Sequence, residues 1–291
     1  MLIASFPETS EIGKRVAKRL GAEHTTIKAS DFPDSEYYIR LKKNPRHKIV
    51  VIINSIIKDA DEKIIESLLA GGIARDYHAK KVILVATYLP YMRQDAHFKN
   101  FDSFSAKYIL KLFNGFDKIF VLDPHLHRIK SLKKISKKAE RISANWAVAS
   151  FIKKELGNKF GNYNIVGPDE ESEQWSGEIA KRLGKKLIIL KKERLGSAKV
   201  KMKSFGKKLG ENIIIIDDII STGSTFLSAI KIAKKQGAKK IACIGIHGIF
   251  AGNADKIIRK YADLVTTNSI PNKYARIDVS PVIAEALRKY K

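Results

Sequence analysis

The chain has 291 residues, 44% of them apolar and 29% charged, which is the composition of a globular protein with room for two domains. Its net charge of +25 raises nucleic acid as a partner, but the paired lysines fall on predicted helices and lack the interleaved aromatic residues of single-strand binders, so nucleic-acid binding is not expected. No apolar run nears the ~20 residues of a membrane span, no signal-peptide pattern opens the chain, and the single Cys243 can form no internal disulfide. We therefore expect a cytoplasmic protein without a membrane partner.

Short β-branched runs alternate with helix-length amphipathic segments along the whole chain. This alternation predicts βαβ units with parallel strands, and therefore an α/β fold. A boundary after residue 143 gives two halves of ordinary domain size, 1–143 and 144–291. The predicted strands are Leu2–Ser5, Thr25–Lys28, Ile49–Ile53, Val82–Ala86, Ile119–Leu122, Ile165–Val166, Leu187–Leu190, Ile213–Ile216, Ile241–Ile246 and Leu264–Thr266. The predicted helices are Ser10–Leu20, Ala60–Tyr77, Ser103–Phe113, Ala144–Leu156, Glu171–Leu183, Ser224–Lys235, Asn253–Tyr261 and Pro281–Lys289.

The polar clusters follow predicted strands, which is where open α/β sheets bind ligands. The stretch from Phe32 to Glu36, with Asp34 between, offers an aromatic ring and two carboxylates around a turn, and alone it is most often a structural loop. Arg93-Gln94-Asp95 changes that interpretation. An aromatic ring can stack on a purine, carboxylates can accept from an exocyclic amine, and a guanidinium can neutralise phosphate.

Two further clusters offer metal ligands. Asp123-Pro124-His125 places a carboxylate and an imidazole two residues apart, and Asp169 adds a carboxylate from the second half. A lone histidine is more often a satisfied polar residue than a ligand. Magnesium, however, needs only one or two protein ligands and leaves its other positions to water and phosphate oxygens.

The segment from Lys185 to Lys208 carries ten Lys or Arg residues and one acid, with Gly196-Ser197-Ala198 in its middle. As a loop it would repel itself and stay mobile until an anion arrived. A solvated basic loop is the alternative interpretation.

The stretch from Asn212 to Thr225 carries the most specific chemistry. Four isoleucines, Ile213–Ile216, predict a strand covered on both faces, with Asp217 and Asp218 at its end. The small residues from Ser221 to Thr225 then open a helix, and a helix N-terminus favours a phosphate. Carboxylates repel a phosphate but accept hydrogen bonds from hydroxyls beside it. The pattern therefore indicates a phosphorylated sugar.

The ordinary motifs of nucleotide binding are missing from the sequence. It contains no Gly-x-x-x-x-Gly-Lys-Ser/Thr, no Gly-x-Gly-x-x-Gly and no His-Glu-x-x-His. P-loop ATPases, Rossmann dehydrogenases and zinc proteases are therefore not expected.

The stretch around Asp217 and Asp218 resembles the phosphoribosyl-pyrophosphate loop of type I phosphoribosyltransferases and of ribose-phosphate pyrophosphokinases, although Ser221 stands where many members have Asp and Ser224 where they usually have Gly. The segments at Phe32 and Arg93 resemble the ATP-binding segments of the pyrophosphokinases, where the first commonly reads Phe-x-Asp-Gly-Glu. These clusters, in this order, cover nearly the whole chain. The chain is therefore similar to the ribose-phosphate pyrophosphokinase family.

This resemblance implies two tandem domains of the type I phosphoribosyltransferase kind, each with a parallel sheet flanked by helices. It implies transfer of the β,γ-diphosphoryl group of ATP to the 1-hydroxyl of ribose 5-phosphate, which gives phosphoribosyl pyrophosphate and AMP for nucleotide biosynthesis. Magnesium is the implied cofactor. The family also implies a homo-oligomer in which a neighbouring subunit completes the ATP site.

The resemblance also assigns roles by position. Lys192 and Arg194 match the Lys-x-Arg pair of the family's flexible catalytic loop, with Lys191 as the alternative lysine. The implied metal ligands are His125 and Asp169. The implied ATP-binding residues are Phe32, Asp34, Glu36, Arg93, Gln94, Asp95 and His125, and the implied ribose 5-phosphate-binding residues are Asp217, Asp218, Ser221, Thr222, Gly223, Ser224 and Thr225.

Two alternative functions stay open at this point. A phosphoribosyltransferase would use the same sugar loop on finished phosphoribosyl pyrophosphate, although such enzymes usually need one domain of this kind. A catalytically silent, regulatory relative would keep the fold without turnover. ATP-dependent formation of AMP discriminates between these possibilities.

Overall fold

The structure is a computed structural model that describes residues 1–126, 128–129, 131–194, 200–203 and 208–291, and the side chains of 192–194 and 200–203 lie outside the described part. The chain folds into two compact units. Unit 1 comprises Met1–Ser143, Ser269–Pro271 and Asp278–Lys291, and unit 2 comprises Ala144–Asn268 and Asn272–Ile277. The sequence alone assigns everything after residue 143 to the second half, whereas in the structure the C-terminal segment packs with unit 1.

The elements are numbered in chain order. The strands are β1 Leu2–Ser5, β2 Glu23–Thr26, β3 Lys28–Asp31, β4 Tyr37–Arg40, β5 Ile49–Ser55, β6 Lys81–Tyr88, β7 Lys118–Leu122, β8 Ala139–Ile142, β9 Asn164–Gly167, β10 Leu187–Ile189, β11 Lys191–Arg194, β12 Val200–Lys203, β13 Asn212–Ile220, β14 Lys240–Gly248, β15 Asp263–Thr267 and β16 Ala275–Ile277. The α-helices are α1 Ser10–Leu20, α2 Ala60–Asp76, α3 Ser105–Leu112, α4 Asn145–Phe151, α5 Gly157–Phe160, α6 Glu173–Leu183, α7 Ser224–Lys235, α8 Ala254–Arg259 and α9 Ser280–Leu287.

Each unit is built on a six-stranded parallel sheet. Unit 1 has the strand order β2-β1-β5-β6-β7-β8, and unit 2 has the order β10-β9-β13-β14-β15-β16. Both sheets therefore have the same strand order. The strand that comes second along the chain lies at the edge, next to the first strand, and the remaining strands follow on the other side of the first in chain order. The central strands are buried along their length, and helices cover the sheets, so the predicted α/β fold class is confirmed.

The local sequence explains which face of α1 is buried and where this helix ends. Ile12, Val16 and Leu20 of α1 repeat every four residues and are buried, and α1 ends at Gly21, whose φ of +58° suits glycine. At the other end of the chain, Asp278 forms an ion pair of 3.3 Å with Arg15 of α1. Buried apolar residues of α9 lie on the same segment, which explains why the C-terminus belongs to unit 1.

The predicted elements match best where the apolar pattern is strong. The bounds of α1 and α7 agree with the prediction, whereas the predicted single strand Thr25–Lys28 is divided at buried Ile27 between β2 and β3. The antiparallel hairpin of β3 and β4 was not predicted. Among the described residues, none of the helices is long and apolar enough to cross a bilayer.

Candidate active site

In unit 2 the acidic pair lies inside a strand. The sequence placed Asp217 and Asp218 after the strand's end, but β13 continues to Ile220 because β14 is equally long and pairs with it as far as Gly248. Both carboxylates are consequently buried, with 9% and 2% of the residue surface exposed. The backbone N–H of Asp218 donates to Oδ1 of Asp217 at 3.0 Å.

Buried negative charge accumulates at this point of the sheet. Burial raises the pKa of Asp217 well above its ordinary value of 3.8, and the negative charges of Asp218 and Asp169 raise it further. Asp169, which follows β9, is therefore an electrostatic neighbour of the pair within unit 2. A site of this kind favours hydroxyl donors or a cation as partners.

The loop after β13 leads directly into a helix. Gly223 has a φ of +75° and caps α7, whose first residue is Ser224. The positive φ therefore favours glycine at this position, and a Cβ there would also lie 3.1 Å from Ile258 Cδ1, a tight contact. Ser224 itself has no positive φ, so its backbone conformation does not require the family's usual glycine there. The first N–H groups of α7 have no partner within the helix and can receive an anion.

A second loop of unit 2 approaches the sheet closely. A Cβ at Gly167 would lie 2.6 Å from Ser172 Oγ and 2.4 Å from Ile189 Cδ1, so only glycine fits. After it, the backbone N–H of Ser172 donates to Asp169 Oδ1 at 3.1 Å, and Ser172 Oγ donates to the Asp169 carbonyl oxygen at 2.5 Å. In return, the backbone N–H of Asp169 donates to Ser172 Oγ at 3.3 Å, and together these bonds fix the backbone of the Asp169 loop at the carboxyl edge of β9.

The cationic segment is only partly described. β11 and β12 pair antiparallel, so the backbone of Lys192 and Arg194 lies in a strand, while their side chains and residues 195–199 and 204–207 fall outside the described residues. Lys191 Nζ lies 2.9 Å from Glu170 Oε1, and this hydrogen bond and its charge raise the pKa of Lys191. Lys191 therefore already has an acidic partner.

In unit 1 the predicted ATP segment forms the turn of the hairpin. Phe32 N–H donates to the Glu36 carbonyl oxygen at 2.8 Å, and Ser35 N–H donates to the Phe32 carbonyl oxygen at 2.9 Å. Ser35 has a φ of +69°, so the turn needs the conformation for which glycine is best suited. Phe32 is exposed and stands edge-on to Tyr38, with a centroid distance of 6.0 Å. Its ring is available to a ligand.

The Arg93 segment follows β6 and is anchored to α3. Ser105 Oγ donates to Gln94 Oε1 at 2.7 Å, and Ala106 N–H donates to the Gln94 carbonyl oxygen at 3.3 Å. Asp95 is 1% exposed, and its Oδ2 accepts from the backbone N–H of Arg128 at 2.6 Å. Arg93 is exposed and has no ion-pair partner within the described part of the chain.

The Asp123-Pro124-His125 cluster follows β7 in the same unit. Asp123 is fully buried, and its Oδ1 accepts from Nε and Nη2 of Arg141 at 2.9 and 2.5 Å. His125 is half-buried. No sequence signal pointed to Arg141, which lies on the edge strand β8 beside the end of β7. The carboxylate at 123 therefore serves an internal ion pair.

The structure joins some of the predicted site residues and leaves others apart. It brings Asp169, Asp217 and Asp218 together in unit 2, and it links Asp95 to the loop after His125 in unit 1. Among the described side chains, no hydrogen bond or ion pair joins the hairpin residues Phe32, Asp34 and Glu36 to Arg93 or Gln94. No group of three or more His, Cys, Asp or Glu within the described ranges could hold a metal ion by itself.

Two family models match different parts of the chain. Residues 1–116 match the family model of the N-terminal domain of ribose phosphate pyrophosphokinase, and residues 136–282 match the phosphoribosyl transferase domain. The ribose-phosphate pyrophosphokinase of Pyrococcus furiosus is 33% identical over 90% of this chain and 92% of its own length, and that of Pyrococcus abyssi is 32% identical over 89% of each. The solved structure of phosphoribosylpyrophosphate synthetase from Mycobacterium smegmatis covers 100% of this chain and 98% of its own, with a TM-score of 0.84 and 22% identity, and shares the fold.

Fold and site thus define an enzyme of the phosphoribosyltransferase-like α/β class, with an acidic pair and a helix N-terminus at the carboxyl edge of its second sheet. The chain belongs to the ribose-phosphate pyrophosphokinase family.

Asp217→Asn is expected to stabilise the free protein at neutral pH, because it removes buried charge beside Asp218 and Asp169. The raised pKa determines how the stability of the wild type changes with pH. Asp217 contributes its full stabilisation below the ordinary pKa of 3.8, and this stabilisation is lost as the pH rises through the raised pKa of the folded protein. The melting temperature of the variant should equal that of the wild type near pH 4 and exceed it increasingly towards pH 8. Each unit of raised pKa corresponds to about 1.4 kcal/mol.

Asp263→Asn is the matched control in unit 2. Burial alone would raise the pKa of Asp263, but the hydrogen bonds from Lys159 and Arg259 outweigh burial and lower this pKa. A carboxyl whose pKa is lowered by folding stabilises the protein at every pH above its pKa in the unfolded chain. The Asp263→Asn variant should therefore lose stability at neutral pH. The electrostatic account would be contradicted if the melting temperatures of Asp217→Asn and the wild type differed by the same amount at every pH. It would also be contradicted if Asp217→Asn were less stable than the wild type at neutral pH, as is expected of Asp263→Asn.

Proposed function

We propose that the chain transfers the β,γ-diphosphoryl group of ATP to the 1-hydroxyl of ribose 5-phosphate, with phosphoribosyl pyrophosphate and AMP as products. The observation that carries this proposal is the buried pair Asp217 and Asp218 directly before the N-terminus of α7, in a chain of this family. The product is a precursor for nucleotide biosynthesis. The buried, unpaired Cys243 is compatible with a cytoplasmic location.

Ribose 5-phosphate fits the two halves of the unit 2 site. The carboxylates accept hydrogen bonds from ribose hydroxyls, and such bonds to an ionised group are the stronger kind. The 5-phosphate lies at the start of α7, where the backbone N–H groups, including that of Gly223, and the hydroxyls of Ser221, Thr222, Ser224 and Thr225 surround it. The sugar is thereby held with its 1-hydroxyl free for reaction.

ATP is assigned to unit 1. Phe32 stacks on the purine, Asp34 and Glu36 accept from its amine, and Arg93 neutralises phosphate, while Gln94 and His125 complete the site. Asp95, which the family pattern also assigns to this site, has its carboxylate bound to the backbone N–H of Arg128. The exposed ring of Phe32 and the exposed guanidinium of Arg93 support these roles. Each position follows the family pattern.

Magnesium is the proposed cofactor, with His125 and Asp169 as its protein ligands. The donor chemistry fits, because Asp169 supplies a hard oxygen in a region whose accumulated negative charge already raises the pKa of Asp217. His125 and Asp169 would hold the ion, which would supply positive charge against the phosphates of ATP.

The reaction is an in-line displacement at the β-phosphorus of ATP. The 1-hydroxyl loses its proton and forms an O–P bond to the β-phosphorus, while the bond from that phosphorus to the oxygen bridging to the α-phosphate breaks and AMP leaves with this oxygen. Lys192 and Arg194 neutralise the charge on the transferred group. Catalysis is then mainly positioning and electrostatic stabilisation.

The function is tested by incubating the protein with ATP, magnesium and ribose 5-phosphate and following the products by phosphorus NMR. Equimolar AMP and phosphoribosyl pyrophosphate are expected. Formation of ADP would indicate an ordinary kinase. Use of phosphoribosyl pyrophosphate with a nucleobase, without ATP, would indicate a phosphoribosyltransferase, and substrate binding without turnover would indicate a silent relative.

Lys192→Ala is expected to lower turnover by about 100- to 1000-fold with little change in substrate affinity, as when one donor to a developing charge is removed. Lys191→Ala is the matched control and should be far milder, because Lys191 is engaged by Glu170 at 2.9 Å. Single-turnover rates and dissociation constants for both variants provide the comparison. Equal effects of the two substitutions would remove Lys192 from the mechanism.

We also propose a homo-oligomer in which the hairpin of one subunit completes the ATP site of its neighbour. Within the described residues of one chain, no hydrogen bond or ion pair joins Phe32, Asp34 or Glu36 to Arg93. Beside the hairpin, α2 exposes Ile65 and Leu69, one turn apart, at 46% and 41%, and Tyr77, which follows the helix, is 62% exposed. A second copy of the chain would bury these side chains.

Mixing two inactive variants tests this arrangement. Asp34→Ala damages the hairpin and Arg93→Met damages the phosphate-binding segment, so an oligomer containing both still has one intact site if the hairpin acts across subunits. Co-expressed and co-purified, the pair should regain activity that neither variant has alone. The control pair Asp34→Ala and Glu36→Ala, both in the hairpin, should stay inactive. Failure of the first pair to complement would place the hairpin in its own subunit's site.

A further inference from the structure

We propose that Asp95 is a positioning residue, which ties the Arg93-Gln94 segment to the loop that carries His125 and does not itself bind ATP. This role rests on the proposed ATP site in unit 1. It assigns the carboxylate of Asp95 a purpose that its place in the sequence, directly after Arg93 and Gln94, does not indicate.

The carboxylate of Asp95 faces the protein. The residue is 1% exposed, and its Oδ2 accepts from the backbone N–H groups of Arg128 and Ile129 at 2.6 and 3.2 Å. Nη1 of Arg128 lies 3.5 Å from Oδ1, and the guanidinium lies 4.4 Å from the centre of the Phe98 ring. A ligand amine would have to displace charge-assisted backbone hydrogen bonds to reach this group.

The other end of the same loop is fixed by a different ion pair. Asp123, with a φ of +34°, directly follows β7, and its N–H donates to the Ile142 carbonyl oxygen at 2.9 Å. Its buried carboxylate accepts from Nε and Nη2 of Arg141 at 2.9 and 2.5 Å. The forked guanidinium holds a backbone conformation that non-glycine residues rarely adopt.

His125 therefore lies between two fixed points. Arg141 holds the residue two positions before it, and Asp95 holds the backbone three and four positions after it. Asp95 is itself adjacent to Gln94, whose side chain and carbonyl are bound by Ser105 and Ala106 at the start of α3. Two proposed ATP-binding segments, after β6 and after β7, are joined through this one carboxylate.

A carboxylate that accepts from a backbone N–H and pairs with arginine can also be purely structural, and unit 1 contains such a case. Asp117 Oδ2 accepts from the N–H of Val82 at 2.7 Å and lies 2.6 Å from Nη2 of Arg75. This group lies at the amino ends of β6 and β7, opposite to the His125 loop. Asp117 is thus a chemically matched control, remote from the site.

Asp95→Ala is expected to lower kcat/KM for ATP by about 10- to 100-fold, as expected for a misplaced binding group. The KM for ribose 5-phosphate should stay within about twofold, the range that independent sites allow. Asp95→Asn should recover part of the loss, because an amide oxygen can still accept from the two N–H groups. Asp117→Ala should change neither constant by more than about twofold, even where it lowers the melting temperature equally.

A double-mutant cycle with His125→Gln separates positioning from direct binding. If Asp95 acts through the loop, adding Asp95→Ala to His125→Gln should cost no more than about twofold further in kcat/KM for ATP. Additive losses, or equal losses in the Asp117 and Asp95 variants, would overturn the positioning role.

A measurement without turnover separates this inference from the proposed function. In protein with 13C-labelled histidine, the His125 Cε1 resonance, assigned by its loss in His125→Gln, should shift in Asp95→Ala and stay in place in Asp117→Ala. An unmoved resonance in Asp95→Ala would contradict the inference. Absence of AMP from the wild type would instead contradict the proposed function and leave the resonance test valid.

Discussion

The burial of Asp217 and Asp218 within a strand is the constraint on which the site depends. Their charges repel each other and that of Asp169, and the sheet holds them because β14 pairs with β13 as far as Ile220, beyond Ile215, where the pairing with β9 ends. Gly245 of β14 lies opposite Asp217, and a Cβ at Gly245 would be 2.5 Å from Ile220 Cγ1. The Ile220 side chain therefore packs directly against the backbone of β14. Packing of the apolar sheet thus fixes an electrostatically unfavourable cluster. Hydroxyl donors or a cation can relieve that repulsion, which makes the strain useful for binding.

The two units share one strand order but differ at the corresponding edge. By that order, β5 and β6 of unit 1 correspond to β13 and β14 of unit 2. At the ends of β5 and β6, Ser55 Oγ and Thr87 Oγ1 both donate to the carbonyl oxygen of Ser269, at 2.8 and 2.7 Å. The chain itself therefore occupies, in unit 1, the edge at which unit 2 presents its acidic pair. If the acidic pair binds the sugar as proposed, this difference explains why a chain with two similar sheets would have one sugar site.

Sequence patterns predicted what depends on apolar periodicity and on short motifs. The buried isoleucines of β13 and the capped helix α7 were predictable, since both have strong local signals. The hairpin was not, because Lys28–Asp31 is short and polar, and its need for a positive φ at Ser35 shows only in three dimensions. The depth of Asp217 in its strand depends on pairing with β14, and the bond from Asp95 to Arg128 spans 33 positions. Such long-range contacts leave no local pattern.

The central claim is that the carboxylates of β13 bind ribose hydroxyls beside the phosphate site of α7. Calorimetric binding of ribose 5-phosphate and of 2-deoxyribose 5-phosphate, to the wild type and to the double variant Asp217→Ala/Asp218→Ala, tests it most directly. In the wild type, loss of the hydroxyl should weaken binding by about 10- to 100-fold, as for a hydrogen bond to a charged group. In the double variant the two sugars should bind alike, because the acceptor is gone while the phosphate site remains. An equal penalty for the deoxy sugar in both proteins would contradict the account.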